Sequence, residues 1–267
     1  MSHRLSEEDE REMLERISTT DRARAFRKSI CDRLPLDDAD GVLSVGCGPG
    51  FETAALAERV GGTGAVHGLD LNPAVLAAAR ERCERACEFV RADATALPLR
   101  DGAYDLAVAV QMLQFLDDPA AALSELCRVV RPGGHVAVTT GTESSVMHTP
   151  TDLLERAREV SREAAGGRGP GTRLSSLLPA AGLVVEDVLP RAEIRTEIDD
   201  QVEWGIEVRR GILERSGEFD DDEVDAWERE LRALDDDGQF LSCGTKLLYV
   251  ARKPETATTG PCPRERR

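Results

Sequence analysis

Short apolar runs alternate along the chain with longer stretches in which apolar residues return every three or four positions. The runs at 42–45, 65–69, 87–91, 106–110, 135–140 and 183–189 have the length and composition of strands. The stretches at 51–60, 74–86, 118–130, 151–164 and 174–181 carry the helical period. Strand and helix in alternation predict an α/β chain with a mostly parallel, doubly wound sheet covered on both faces. Two helical runs come first, within 5–34. Ser6 stands as a cap before a crowd of Asp and Glu, and Pro35 stops the second run. Two further helices within 199–235 precede a last strand at 241–252. Pro119 marks the first turn of its helix. Gly133 and Gly134 are expected to stop that helix and reverse the chain.

A chain of 267 residues is one domain with elaborations or two small ones. At this size it needs no disulfides to bury a core. The expected layout is N-terminal helices at 1–39 and a central domain at 40–253, with a helical insertion at 199–235. A tail at 254–267, poor in apolar residues, is expected to be disordered. No run of about 18 apolar residues occurs, so no membrane span is expected. The first residues lack the apolar segment of a signal peptide, and the cytoplasm is the expected location.

Formal charge is −16, with 31 arginines against three lysines. Such a surface repels phosphate backbones and argues against a nucleic-acid partner, although a local basic cleft is compatible with it. Proteins of salt-loving organisms share this composition, and so do chains from high-GC genomes. The seven cysteines are scattered and odd in number, which suits free thiols in a reducing compartment. Cys83 and Cys87 lie four apart on a helical stretch. Two partly buried thiols are the plainer reading of that pair than a metal or arsenic site, and no metal site is expected.

The candidate chemistry gathers around VLSVGCGPGFET, residues 42–53. Gly46, Gly48 and Gly50 follow a strand and open a helix. Without Cβ atoms the backbone can pass close to a ligand, and the helix start adds N–H donors. A tight strand-to-helix turn has the same signature. The spacing is G-x-G-x-G, not the G-x-G-x-x-G of dinucleotide-binding folds. About 20 residues later, Asp70 ends the second strand, where a carboxylate can accept from both hydroxyls of a ribose. Its alternative is the N-cap of the following helix. Gln111 ends the fourth strand with Met112 and Gln114 nearby, on the carboxyl edge where α/β sheets bind ligands. Its alternative is a polar strand end in solvent.

With its preceding strand, this turn resembles motif I of the class I S-adenosylmethionine (SAM) dependent methyltransferases. The likeness is to the type 11 branch that acts on quinones and small molecules. Asp93-Ala94, then TALPLRDGAYD (95–105) and ELCRVVRPGGHVAV (125–138), support it in the right order. It covers about 40–140 strongly and 172–190 and 240–253 loosely. The resemblance implies a Rossmann-like, doubly wound seven-stranded sheet with the last strand antiparallel. N-terminal helices and a helical cover before the final strand complete it. It implies SAM as cofactor, bound by Gly46, Cys47, Gly48 and Gly50, by Asp70 and Leu71 at the ribose, and by Asp93 and Ala94 at the adenine. Gln111 then points toward the methyl group. Ser44 departs from the pattern, because the family usually carries Asp or Glu there to orient the methionine amino group. Glu52 is a candidate substitute.

A sulfonium methyl is already activated, so such a protein binds, aligns and excludes water. No Ser–His–Asp set is needed, and none stands out. The expected partner is a small methyl acceptor, apolar or aromatic to judge from Trp204, Ile206, Trp227 and Leu231 on the cover helices. The sequence leaves the oligomeric state open. His148, with Glu143 beside it, is the candidate general base for an acceptor that must lose a proton. His67 and His135 read as structural. The glycine-rich segment 165–172 is a gate over the site or a plain linker. From a different class comes the alternative of a SAM-binding regulatory module without turnover.

Overall fold

Main-chain hydrogen bonds join every strand into one sheet. The computed structural model describes residues 6–60, 64–83, 87–141, 145–164 and 170–255. The chain begins α1 (Glu7–Ser18), α2 (Asp21–Cys31), β1 (Gly41–Val45), α3 (Phe51–Ala57) and β2 (Ala65–Asp70). It continues α4 (Pro73–Cys83), β3 (Cys87–Arg91), β4 (Tyr104–Val110), a 3-10 turn (Leu113–Phe115), α5 (Pro119–Val129) and β5 (Val130–Gly141). Next come β6 (Ser145–Val146), α6 (Asp152–Ala164), α7 (Pro170–Ala180) and β7 (Val184–Arg195). The last three are α8 (Asp200–Ser216), α9 (Asp221–Asp236) and β8 (Ser242–Arg252). Ser6 caps α1 as expected, accepting from the N–H of Asp9.

β3, β2, β1, β4 and β5 lie side by side and parallel. β8 runs antiparallel between β5 and β7. These are the seven expected strands with the last one antiparallel. β6 is an unanticipated two-residue addition that pairs with Ser242 and Cys243 of β8. Alternate residues of β4 face opposite sides. Leu106 and Val108 pack with Phe26 and Ile30 of α2 and Leu56 of α3. Ala107 and Ala109 pack with Leu123 and Leu126 of α5 and Leu178 of α7. A strand buried on both faces has no polar alternation, which is why these segments read as unbroken apolar runs.

A third core lies apart from the sheet. Leu154 of α6, Ile206 and Leu213 of α8, and Trp227 and Leu231 of α9 pack together. Fully burying each such side chain contributes roughly 1.5–3 kcal/mol. The helices expected at 199–235 therefore have an interior of their own, completed by a helix that precedes β7.

Gly133 and Gly134 do not stop a helix. α5 ends at Val129, Val130 is already extended, and both glycines lie inside β5. The register with β4 shifts between Tyr104 and Leu106, so the segment is a bulged strand opening. A Cβ on Gly134 would meet the Asp105 carbonyl oxygen at 2.6 Å and Val130 Cγ1 at 2.7 Å. Close backbone approach is the reason for glycine here. Residues 165–169 of the glycine-rich segment and 256–267 of the tail lie outside the described residues, and Pro170 opens α7.

Asp105 fastens the amino-terminal edge of the sheet. Its Oδ2 accepts from the N–H groups of Asp40 and Gly41 at 2.9 and 2.8 Å, and its Oδ1 accepts from Arg131 Nε. Burial pushes its carboxyl pKa up, but the Arg131 guanidinium and the two N–H groups outweigh that and hold it below the usual 3.8. A depressed folded-state value stabilises the fold above the unfolded value, and that stability is lost as pH falls through the folded value. Asp105→Asn is expected to lower unfolding free energy by about 1–2 kcal/mol near neutral pH. The gap to the unaltered protein should close as pH drops below 3.8, as read from urea titrations at the two pH values.

Candidate active site

The first strand ends in a turn that only glycine can make comfortably. Gly46, Gly48 and Gly50 have φ of +64°, +51° and +83°. The three are glycine for different reasons. A Cβ on Gly46 would strike Met112 Cγ at 2.3 Å, and one on Gly50 would strike Ala79 of α4 at 2.8 Å. A Cβ on Gly48 would meet only Leu14 Cδ1 of α1, at 3.8 Å, so here α1 alone stands over the backbone. The side chain of Cys47 is buried, and burial pushes its thiol pKa up strongly. Only its backbone faces the turn's chemistry, and its N–H donates to the Leu69 carbonyl at 2.9 Å.

Asp70 closes the turn. Its Oδ2 accepts from the Gly48 N–H at 2.9 Å and its Oδ1 from the Asn72 N–H at 3.0 Å. The N-cap alternative for Asp70 is not realised. Asn72 caps α4 instead, its Oδ1 accepting from the N–H of Ala74 at 2.8 Å. Leu71, beside Asp70, is 55% exposed. Asp93 follows β3 on the same edge. Its Oδ1 accepts from the N–H and hydroxyl of Thr95 at 2.8 and 2.7 Å, and these bonds lower its pKa. Its Oδ2 has no hydrogen-bond partner among the described residues, and Ala94 beside it is half-buried. The loop that follows is clamped by α5: Glu125 accepts from the Leu97 N–H, and Arg128 donates to the carbonyls of Leu97 and Leu99. The similarity of 125–138 to other chains thus has a use in positioning this loop.

Gln111 ends β4 with φ of +52°, the only non-glycine residue with positive φ among the described residues. Backbone strain of this kind collects at functional sites. Its N–H donates to Thr139 Oγ1 at 2.9 Å and its Nε2 donates to the same oxygen at 3.2 Å. Gln114 Nε2 donates to Gln111 Oε1 at 3.4 Å, while Gln114 Oε1 is buried without a partner among the described residues.

Ser44 is buried within β1. Glu52 turns toward α2, where its Oε1 lies 3.6 Å from Arg27 Nη1. Burial raises its carboxyl pKa. Arg27 and Lys246 were not singled out in the sequence. Both are largely buried, and burial lowers the Lys246 pKa. Their only sequence signal was a charge at an otherwise apolar position in a helix and a strand. His148 is exposed after β6, and Glu143 lies outside the described residues. His67 Nδ1 meets the Tyr104 hydroxyl at 2.7 Å, and His135 Nε2 meets Glu186 Oε2 at 3.3 Å. Of the cover residues, Ile206, Trp227 and Leu231 are consumed by the third core. Trp204 instead meets exposed Phe115 edge-on, with ring centroids 5.9 Å apart. Cys83 and Cys87 are free thiols, one buried and one half-buried.

This strand order, with the glycine turn, Asp70, Asp93 and Gln111 at the ends of β1, β2, β3 and β4, is that of a class I methyltransferase fold. Comparison with known proteins agrees. Residues 43–138 match the family described as "Methyltransferase domain". A 37.1 kDa uncharacterized protein in transposon TN4556 of Streptomyces fradiae is 35% identical over 187 residues, 68% of this chain and 54% of that one. Trans-aconitate 2-methyltransferase of Azoarcus sp. is 35% identical over 179 residues, 64% of each chain. The YcgJ protein of Bacillus subtilis shares the fold, with a TM-score of 0.62 at 16% identity over 87% of this chain and all of that one. Residues 43–138 thus carry a methyltransferase domain of the type 11, SAM-dependent kind. The chain spans between about half and two thirds of the length of these two curated relatives.

Gly46→Ala is expected to lower the melting temperature and to weaken nucleoside binding at least ten-fold. Met112→Ala in the same chain should recover part of the stability by removing the 2.3 Å clash. It should not recover all of it, because the Cβ of residue 112 still stands 2.8 Å away and the left-handed strain of an alanine at +64° remains. A double-mutant cycle by thermal unfolding measures the two parts.

Proposed function

We propose that this chain is a SAM-dependent methyltransferase acting on a small molecule. The observation that carries the reading is the arrangement of the glycine turn, Asp70, Asp93 and Gln111 along one edge of the sheet. The residues present fit the cofactor. At Gly48 only α1 stands over the backbone. Each Asp70 oxygen accepts one N–H and retains a lone pair for a ribose hydroxyl. The free Oδ2 of Asp93 and the N–H of Ala94 suit the adenine edge, and exposed Leu71 suits its face. Cys47 contributes its backbone. Gln111 stands nearest the position of transfer. Glu52, engaged by Arg27, is a poor substitute for the carboxylate missing at Ser44.

When bound, SAM supplies a methyl group on sulfonium that needs no further activation. The chain has to hold the nucleoside, align the acceptor and exclude water. Leu14 of α1 lies over Gly48 and shields the turn. Glu10 and the Glu7 carbonyl hold α1 there by accepting from Asn72 Nδ2 at 2.8 and 3.0 Å. Phe115 and Trp204 support an apolar or aromatic portion of the acceptor. The relative named for trans-aconitate supports a small acceptor over a nucleic acid. His148 is the described histidine without a side-chain partner, and we assign it the general-base role for a protic acceptor.

Calorimetry with SAM and S-adenosylhomocysteine tests the cofactor reading. Asp70→Ala is expected to weaken binding at least ten-fold, because bonds to a charged group contribute about 1.5–3 kcal/mol each. Unchanged affinity in that variant would sink the placement. Binding with no methyl transfer to any of a broad acceptor set would favour the regulatory-module alternative. Once an acceptor is known, His148→Ala should lower turnover ten-fold or more in the pH range where the histidine is neutral. An unchanged pH–rate profile removes His148 from the mechanism.

A further inference from the structure

The face of the sheet under α2 carries more positive than negative charge, which is unexpected in a chain of formal charge −16. Near the carboxyl edge, Arg22, Arg27, Arg191, Arg195 and Lys246 face Glu52, Glu193 and Asp199 among the described residues. Arg195 is fully engaged, donating to Glu193 Oε2 at 3.0 Å, Asp199 Oδ2 at 3.1 Å and Gln201 Oε1. Arg27 and Lys246 are not.

Arg27 Nη2 donates to the Ser18 carbonyl at 2.9 Å, but its Nη1 is buried with no hydrogen-bond partner among the described residues. The Glu52 oxygen at 3.6 Å is too distant to satisfy it. The side chain is 9% exposed and lines a small recess of about 10 Å³ with Glu52, Cys31, Val108 and Val110. The Lys246 ammonium has no acceptor within hydrogen-bonding distance among the described residues. Its carboxylate neighbour is Glu193 Oε1 at 3.8 Å, and the Phe26 ring lies at 4.6 Å. Each cation has a carboxylate within ion-pair distance but, among the described residues, no hydrogen-bond acceptor for these N–H groups, and buried donors left without an acceptor are costly unless something else completes them.

Strand register sets where this happens. Lys246 pairs with Gly141 at the end of β5, and a Cβ on Gly141 would stand 3.6 Å from Gln111 Oε1. Lys246 therefore borders the strand tip proposed for methyl transfer, and Arg27 lines the recess beside Val110, the residue before Gln111. We propose that Arg27 and Lys246 form the anion subsite of the acceptor pocket, and that the acceptor docks there through a carboxylate. The inference rests on the methyltransferase reading of this edge and specifies its substrate class. A carboxylate would offset this excess of positive charge, and its oxygens can accept from a guanidinium N–H and from an ammonium. The apolar remainder can then lie toward the aromatic pair of Phe115 and Trp204.

The test uses the full chain saturated with S-adenosylhomocysteine, titrated by calorimetry with benzoate, cinnamate and succinate, with benzamide and phenyl phosphate as comparisons. At least one carboxylate should bind, and benzamide should bind at least ten-fold more weakly than benzoate or cinnamate, a comparison that needs no variant. Arg27→Met and Lys246→Met should each weaken the carboxylate at least ten-fold, and Arg27→Lys should recover part of the loss. Equal binding of acid and amide overturns the proposal, as does the absence of binding by all three carboxylates. A variant that folds by thermal unfolding and still binds carboxylate normally removes that residue. Tighter binding of phenyl phosphate than of every carboxylate reassigns the subsite to phosphate and overturns the carboxylate. Failure of S-adenosylhomocysteine to bind the unaltered protein, in a titration run first, strikes the methyltransferase reading instead.

Discussion

The hydrogen bond from the Gly48 N–H to the Asp70 carboxylate joins the two halves of the site. It fixes the turn after β1 against the tip of β2, and every neighbouring feature is arranged around that contact. Gly46 must be bare for Met112 to pack over it, and Gly50 for α4 to come close. Asn72 takes over the capping of α4 and frees Asp70 from that task. A carboxylate held by backbone N–H groups is oriented before any ligand arrives, so little ordering remains to be done on binding.

The same edge is roofed from outside the sheet. α1 crosses the turn and is tied to α4 by Asn72 with Glu10 and by Arg82 with Glu15 at 3.3 Å. Arg16 of α1 reaches Asp200 of α8 at 3.2 Å, so the N-terminal helices also touch the helical cover. The first is a part-buried hydrogen bond, and the other two are partly solvated ion pairs that contribute little each. Their use is geometric: they bring two segments far apart in sequence over one opening. The cover can serve as a wall because α6, α8 and α9 pack around a core of their own.

Charge is distributed unevenly for a physical reason. Acidic side chains crowd the exposed first turns of α1 and α9, where they complement the helix dipoles and stay hydrated. The cations left beneath α2 are shielded from water and from most of those carboxylates. Net charge consequently says little about the site. An acidic exterior speaks against phosphate backbones as partners, while a buried excess of positive charge at the edge favours a small anion.

Much of this protein is legible in one dimension. The apolar runs give the parallel strands because burial on both faces removes polar alternation, and glycine at alternate positions marks a turn that side chains would block. The positions of Asp70, Asp93 and Gln111 at the carboxyl edge of the sheet are legible in the sequence, since strand ends are short-range features. What was misread depended on partners distant in sequence. Gly133 and Gly134 were taken for a helix stop, although the bulge they permit is imposed by the Asp105 backbone across the sheet. Trp227 and Leu231 look like pocket walls on their own helix, and only α6 shows that they are interior. Arg27 and Lys246 are 219 positions apart by their numbering, and nothing local marks either as special. Local stereochemistry and the period of burial are written in the order of residues. Which buried donors lack an acceptor is decided only when the sheet, α2 and the final strand have packed together.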